Sequence, residues 1–436
     1  MKTPTSVVNS SPPVQPPASA WRQLSGYQWL VLVVAWLGWV FDSMDATIYA
    51  LVMTPALKEL LGTRGTPEAI GWYGGIIFSI FVAGWALGGV AFGIMADYLG
   101  RTRTLVITIL IYAVFTGLAG FSHTWWELAV YRFLTALGVG GEWAAGATLV
   151  AEVWPEPLRV KGAGLLQSAW GAGFFIAAGV SALLSAHSWR VMFFVGMVPA
   201  VVALFARMRV REPERWTQAR QAVASQSSRR STLRELFAPE TRRDTLVGTA
   251  LAFVAVFGLW GATNWTPSLI HELLRPRQLD AATTARLASY AVMSLNVGAI
   301  AGYLLCPLFS EWWGRRAAFL VMMLGSAVTL PAAFLLPSTY SQVLLALPAL
   351  GFFSNGIFSG FPIYLPEIFP TRFRATGAGF CFNAGRILAA GGPFLTGYLV
   401  AYLGTFARAA SSIAIVYVLG LLVLPFARET KGEVIR

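Results

Sequence analysis

Apolar residues in this 436-residue chain come in runs long enough to cross a lipid bilayer. Trp29–Val40 continues to Leu57, and Ile76–Ala96, Leu105–Gly120, Gly173–Leu184 and Ala410–Ala427 follow the same pattern. Each run, with its short Gly-rich extension, reaches roughly 20 residues, the length a helix needs to span ~30 Å of hydrocarbon. Charged residues make up only 12% of the chain, about half the share of a soluble domain. A single soluble core is excluded. The net charge of +12 is therefore no sign of nucleic-acid binding. The 23 prolines and 43 glycines are compatible with spanning helices, because neighbouring helices satisfy the backbone groups they free. Cys306 and Cys381 lie inside apolar segments, so no disulfide is expected.

Polar punctuation divides the chain into twelve expected spans: 28–54, 70–96, 104–121, 126–150, 162–184, 190–208, 245–270, 286–309, 317–336, 342–365, 377–401 and 409–427. The expected architecture is an all-α membrane protein with two six-helix bundles, residues 28–208 and 245–427. A proline-rich tail (1–27), a polar linker (209–244) and a short C-terminal tail (428–436) complete it. An even number of spans puts both termini on one side. Only Lys58, Arg64, Arg190, Arg275, Arg277, Arg286 and Arg408 fall on the opposite side, out of 32 lysines and arginines. The basic excess marks the termini as cytoplasmic.

The two halves are related by duplication. Gly93-Ile94-Met95-Ala96-Asp97-Tyr98-Leu99-Gly100-Arg101 is followed 214 positions later by Pro307-Leu308-Phe309-Ser310-Glu311-Trp312-Trp313-Gly314-Arg315. Glu152-Val153-Trp154-Pro155, with Arg159 and Gly162-Ala163-Gly164, returns 215 positions later as Glu367-Ile368-Phe369-Pro370, with Arg374 and Gly377-Ala378-Gly379. Such repeats are typical of transporters that bind substrate at the midplane between the repeats.

The pattern G-x-x-x-D-x-x-G-R-x-R after span 2 resembles the signature loop of the major facilitator superfamily. Arg132-Phe133-Leu134 with Gly138-Val139-Gly140 is similar to that superfamily's fourth-helix motif. Pro366-Glu367-Ile368-Phe369-Pro370-Thr371-Arg372 and Glu429-Thr430-Lys431-Gly432 resemble its sugar-porter branch. The resemblance implies the major facilitator fold, alternating access by rocking bundles, residence in the inner (plasma) membrane and no ATP site. No phosphate-binding G-x-x-x-x-G-K-[ST] loop is found. No cofactor, metal or enzymatic activity is expected, and a monomer in the bilayer is.

Two sets of charges follow. Asp97 with Arg101 and Arg103, Glu152 with Arg159, Glu311 with Arg315 and Glu367 with Arg374 fall at the cytoplasmic helix ends. Carboxylates there are expected to pair with arginines across the bundle seam and clamp that side shut, a task suited to the planar fork of arginine; the alternative is that they only anchor helix ends and enforce topology. The second set lies at membrane depth, where ionisable groups point to function. Asp42 and Asp45, three residues apart on one face, and Glu142 are candidate proton carriers. Arg132 is expected either to pair with an acid such as Asp45 or to bind ligand.

Arg386 has no obvious acidic partner in its own half, so a substrate carboxylate would satisfy it through two parallel hydrogen bonds. Asn383, one turn earlier, would assist. A cross-bundle salt bridge to Asp42, Asp45 or Glu142 is the competing reading. Trp260, Asn264 and Trp265 in span 7 are expected to line an apolar-walled pocket.

Asp42-x-x-Asp45, Gly140-Gly141-Glu142-Trp143 and Phe382-Asn383-Ala384-Gly385-Arg386 resemble the metabolite, sialate and aromatic-acid proton symporters. Span 7 lacks the paired glutamines of sugar porters. The expected function is uptake of an organic monocarboxylate with a proton. A proton-driven drug exporter, a sugar symporter and a non-transporting sensor are the alternatives.

Overall fold

A computed structural model describes residues 21–22, 24–184, 188–197, 210–224, 232–263, 266–389, 398–400 and 402–433. Helices α1 (Gly26–Leu61), α2 (Pro67–Leu99), α3 (Arg101–Ala119), α4 (Trp125–Val153) and α5 (Glu156–Leu184) open the first half, and residues 189–197 form the described part of α6. Helices α7 (Glu214–Ala224) and α8 (Thr232–Leu236) lie in the linker. The second half holds α9 (Arg242–Ala262), α10 (Thr266–Leu274), α11 (Ala281–Trp313), α12 (Arg315–Leu335), α13 (Tyr340–Gly356), α14 (Phe361–Ile368), α15 (Arg374–Ala389), α16 (Phe406–Ser412) and α17 (Ala414–Val423). Ten helical stretches among the described residues are long and apolar enough to cross a bilayer. The expected spans 190–208 and 377–401 run partly outside the described residues.

Local chemistry sets the helix starts. Thr124 caps α4 and Thr339 caps α13, each in a reciprocal capping box, with Glu127 and with Gln342 respectively. These side chains take up backbone N–H groups that the first turn leaves without partners. The two boxes lie 215 positions apart, so the duplication extends to the caps. The cap at Thr339 also lets α12 and α13 turn within a few residues. Gly100 and Gly314 sit at φ 110° and 96°, a region that favours glycine, and each ends one helix while starting the next.

Span 7 departs from expectation. Helix α9 ends at Ala262, and α10 begins at Thr266 instead of continuing the same helix to 270. Pro267 occupies the first turn of α10, where a missing N–H costs nothing, whereas inside a continuous helix it would break a hydrogen bond.

The halves meet along two seams related by the duplication: α2 packs against α15, and α5 against α11. On the first, a methyl group added at Gly93 would lie 2.9 Å from the Ala375 carbonyl oxygen, and one at Gly379 would lie 2.5 Å from that of Gly89. On the second, one at Gly164 would lie 2.3 Å from the Pro307 ring. Small residues bring the backbones together where lipid supplies no hydrophobic drive between helices.

Candidate functional site

At one end of the bundles the helix-end charges form a closed network. Arg101 starts α3, and its guanidinium binds Asp97 at 2.9 Å and Glu152 at 3.0 Å while donating to the Ala96 carbonyl. Arg315 starts α12 and repeats the arrangement with Glu367 at 2.6 Å and the Ser310 carbonyl. Each acid then takes a second arginine from the other half: Glu152 binds Arg374 at 2.9 Å, and Glu367 binds Arg159 at 3.1 Å. Glu152 and Arg159 lie at the end of one helix and the start of the next, as do Glu367 and Arg374. The helix ends exchange partners across the seam, Glu152 with Arg374 and Glu367 with Arg159.

Asp97 also accepts hydrogen bonds from the Ala375 and Thr376 N–H groups and the Thr376 hydroxyl. Its counterpart Glu311 pairs with Lys161 across the other seam at 3.4 Å, and not with Arg315. Arg103 stands outside the network. Its side chain is exposed, and its backbone N–H donates to Glu212. Apart from Lys161 and Glu311, the network is buried, and it binds the two halves together at this end.

Deeper in the seam lies a cavity of about 240 Å³. Trp39 (α1), Trp85 (α2), Trp170 and Phe174 (α5), Trp260 (α9) and Phe382 (α15) supply its rings; Arg386 contributes its charge. The indoles of Trp85 and Trp170 stack with centroids 5.9 Å apart, and Trp39 tilts onto Trp170 at 5.2 Å. Arg386 is only 4% exposed. Its guanidinium lies 3.9 Å from the centre of the Trp85 ring and 4.9 Å from that of Phe382, cation–π distances to rings of opposite halves. Nη1 donates to Asn383 Oδ1 at 2.9 Å, and Nε has no hydrogen-bond partner among the described residues. Asn383 does not line the cavity. It positions the guanidinium while its own Nδ2 donates to the Gly379 carbonyl. Asn264 and Trp265 lie outside the described residues.

The three buried acids occupy different settings. Asp45 pairs with Arg132 at 2.7 Å and accepts from the Thr116 hydroxyl at 3.0 Å, all inside the first half. The Arg132 guanidinium is further enclosed by the rings of Tyr49, Phe81 and Phe193. Asp42, one turn before Asp45, is completely buried. Glu142 is buried in α4 beside Gly140 and Gly141, which press against α2 and α3.

Several lining residues escaped sequence reasoning. Trp39, Gln167, Asn296, Tyr303 and Asn355 line the cavity and are not among the candidates read from the sequence. A polar amide inside an apolar span was the available signal.

The chain matches the family described as Major Facilitator Superfamily over residues 35–304, and the one described as Sugar (and other) transporter over residues 282–435. It is 33% identical to a putative metabolite transport protein of Haemophilus influenzae, over 94% of this chain and 99% of that one. It is 31% identical to a probable 4-methylmuconolactone transporter of Cupriavidus pinatubonensis, over 91% of this chain and 89% of the relative. In fold it is similar to the proton:xylose symporter XylE bound to 6-bromo-6-deoxy-D-glucose. The TM-score is 0.77 at 18% identity, covering 94% of this chain and 98% of XylE.

Proposed function

The chain belongs to the major facilitator superfamily, and from that premise we propose that it imports an organic monocarboxylate together with a proton by alternating access. It is a membrane transporter and not an enzyme. The observation that carries the reading is Arg386: a buried guanidinium on the wall of the central cavity, held by Asn383 and two rings, with Nε left without an acceptor among the described residues. A buried cation in this setting favours an anionic guest, and a carboxylate matches the guanidinium fork.

In this reading Asp42 couples the proton to the substrate. While ionised it draws on the field of Arg386; once protonated it leaves that field to the incoming carboxylate. Asp45 takes a proton when its pair with Arg132 opens, and Glu142 is a further proton site on the same bundle. The charged network lies on the cytoplasmic side, where both termini emerge from the inner (plasma) membrane. Its closure supports an outward-facing state. Opening toward the cytoplasm exchanges the cross-seam pairs for water.

Uptake of radiolabelled benzoate into proteoliposomes under an inward proton gradient tests the proposal. Wild type is expected to accumulate the label, Arg386→Gln to lose accumulation, and Arg386→Lys to recover only part of it, because an ammonium lacks the planar fork. Unchanged accumulation in Arg386→Gln overturns the assignment.

A further inference from the structure

The ring contacts of Arg386 belong to a chain of contacts that crosses the seam twice. Trp85, on α2 of the first half, has the guanidinium 3.9 Å from its ring centre, and Phe382, one turn before Arg386 on α15, has it at 4.9 Å. Phe382 in turn stacks on Trp143 of α4, with centroids 4.2 Å apart and planes 19° from parallel. All four side chains are buried. The chain Trp85–Arg386–Phe382–Trp143 thus starts in the first half, passes through two residues of the second, and returns to the first.

The two outer members are fixed relative to each other. A Cβ at Gly140 would lie 2.0 Å from the Trp85 carbonyl oxygen, so α2 and α4 are in backbone contact just where the two indoles emerge. Both indoles are also tied to α5: Trp143 Nε1 donates to Gln167 Oε1 at 3.5 Å, and Trp85 stacks on Trp170 at 5.9 Å. The first half therefore offers a rigid socket. Helix α15 sits against both of its walls, since a Cβ at Gly379 would lie 2.5 Å from the Gly89 carbonyl oxygen and 3.2 Å from the Ala144 Cβ.

Parting the halves at this depth must draw Phe382 off Trp143 and Arg386 off Trp85. Lipid supplies no hydrophobic drive to replace such ties. The two ties differ in kind. Ring stacking is indifferent to charge, whereas a cation–π contact is an electrostatic attraction that strengthens out of water. A carboxylate on the edge of the guanidinium offsets the charge that the Trp85 ring attracts.

We infer that Trp85 and Trp143 clamp Arg386 and Phe382 to hold the two halves together around an empty cavity, and that the charge on Arg386 sets the strength of this clamp. Trp143 does not line the cavity and acts as a positioning residue through Phe382. The holding role stands apart from the anion-transport reading. Release of the clamp by a bound carboxylate rests on that reading, and makes substrate the trigger for parting the seam.

Ala163, on α5, is buried in one cluster with Ile363 of the second half, so a cysteine placed there reports parting of the seam. In full-length protein carrying Cys306→Ala and Cys381→Ala, the rate at which a maleimide reacts with Ala163→Cys follows the open fraction. Without ligand, Trp85→Leu and Arg386→Met are each expected to raise that rate about tenfold, as the loss of one buried cation–π contact implies. Combining the two is expected to raise it no further, because both remove the same contact. Trp143→Leu is expected to speed the reaction as well, and Trp143→Phe to restore the slow rate by keeping a ring against Phe382. Saturating benzoate is expected to speed the otherwise unaltered protein by a similar factor.

Slow reaction in both Trp85→Leu and Trp143→Leu overturns the inference. A fast Trp85→Leu beside a slow Arg386→Met reduces the contact to packing and overturns it too, as does benzoate that binds by calorimetry without speeding the reaction. Benzoate that fails to bind counts against the anion reading alone, and Arg386→Met then decides the dependence on charge. Melting transitions check that each variant is folded. Should the leucine variants not fold, Arg386→Met, which keeps most of the side-chain volume, decides in their place.

Discussion

Glu152 in the first half and Arg374 in the second are joined by a 2.9 Å ion pair, with the Arg374 side chain fully buried. The duplication reproduces the bond with roles reversed, as Glu367 binds Arg159 at 3.1 Å. Each half thus lends an acid and an arginine to the other, and each acid is also gripped by its own half's loop arginine, Arg101 or Arg315. A lock of this kind either holds both pairs or neither, because a half-broken one leaves a buried charge exposed to low dielectric.

Glu152→Gln leaves Arg101 and Arg374 facing an uncharged amide. Losing one member of a buried ion pair costs about 3–5 kcal/mol. The closed arrangement of this end is expected to give way, with spin labels at the exposed Tyr98 and Arg372 showing a broader and longer distance distribution than in wild type. An unchanged distribution would show that the cross-seam pairs do not hold this end shut.

Asp45 and Arg132 form a pair within one half, so structural and proton-handling roles separate by mutation. Asp45→Asn alone is expected to lower the melting temperature by stranding Arg132, again at about 3–5 kcal/mol. The double variant Asp45→Asn with Arg132→Met is expected to regain most of that stability, since an apolar side chain beside the rings of Phe81 and Tyr49 needs no counter-charge. Proton-driven accumulation in proteoliposomes is expected to stay lost in both. Recovery of accumulation along with stability would reduce Asp45 to a structural role.

Acidification is expected to tighten carboxylate binding. On the proposed coupling role of Asp42, its protonation removes a buried negative charge that competes with the substrate carboxylate, so affinity rises as pH falls, until the ligand's own carboxylate begins to protonate. Asp42→Asn is expected to bind with high affinity at neutral pH and to show a flattened profile in the same titration. A wild-type profile retained by Asp42→Asn would place the sensing group elsewhere.

Gly89 is a remote handle on Arg386. A Cβ there would fall 1.8 Å from Asn383 Nδ2, and Asn383 orients the guanidinium through its Oδ1. Gly89→Ala is expected to displace that amide and weaken benzoate binding about tenfold, as the loss of one charge-assisted hydrogen bond implies. Circular dichroism should stay helical. Because Gly89 belongs to the first half and Asn383 to the second, the same contact ties the posture of Arg386 to the closeness of the seam.

Most of the spans, the duplication and the residues that carry charge could be read from the chain itself, whereas the break in span 7 between Ala262 and Thr266 could not. A helix long enough for the bilayer announces itself by an apolar run, a repeat by a constant offset, and an intramembrane charge by its surroundings in the sequence. Capping residues 215 positions apart, Thr124 and Thr339, follow from local chemistry in the same way. Partners did not. Asp42 and Asp45 share a helix face, yet it is Asp45 that Arg132 holds. Across the seam, which arginine each acid takes, Arg374 for Glu152 and Arg159 for Glu367, comes only from the packed helices.

Asn296 and Gln167 looked like two amides among many apolar residues until the seam brought their helices around one cavity. Sequence fixes what each helix must bury, because that depends on its own composition. Which buried group meets which depends on how the helices are rotated and paired across the seam, and only the packed tertiary structure decides that.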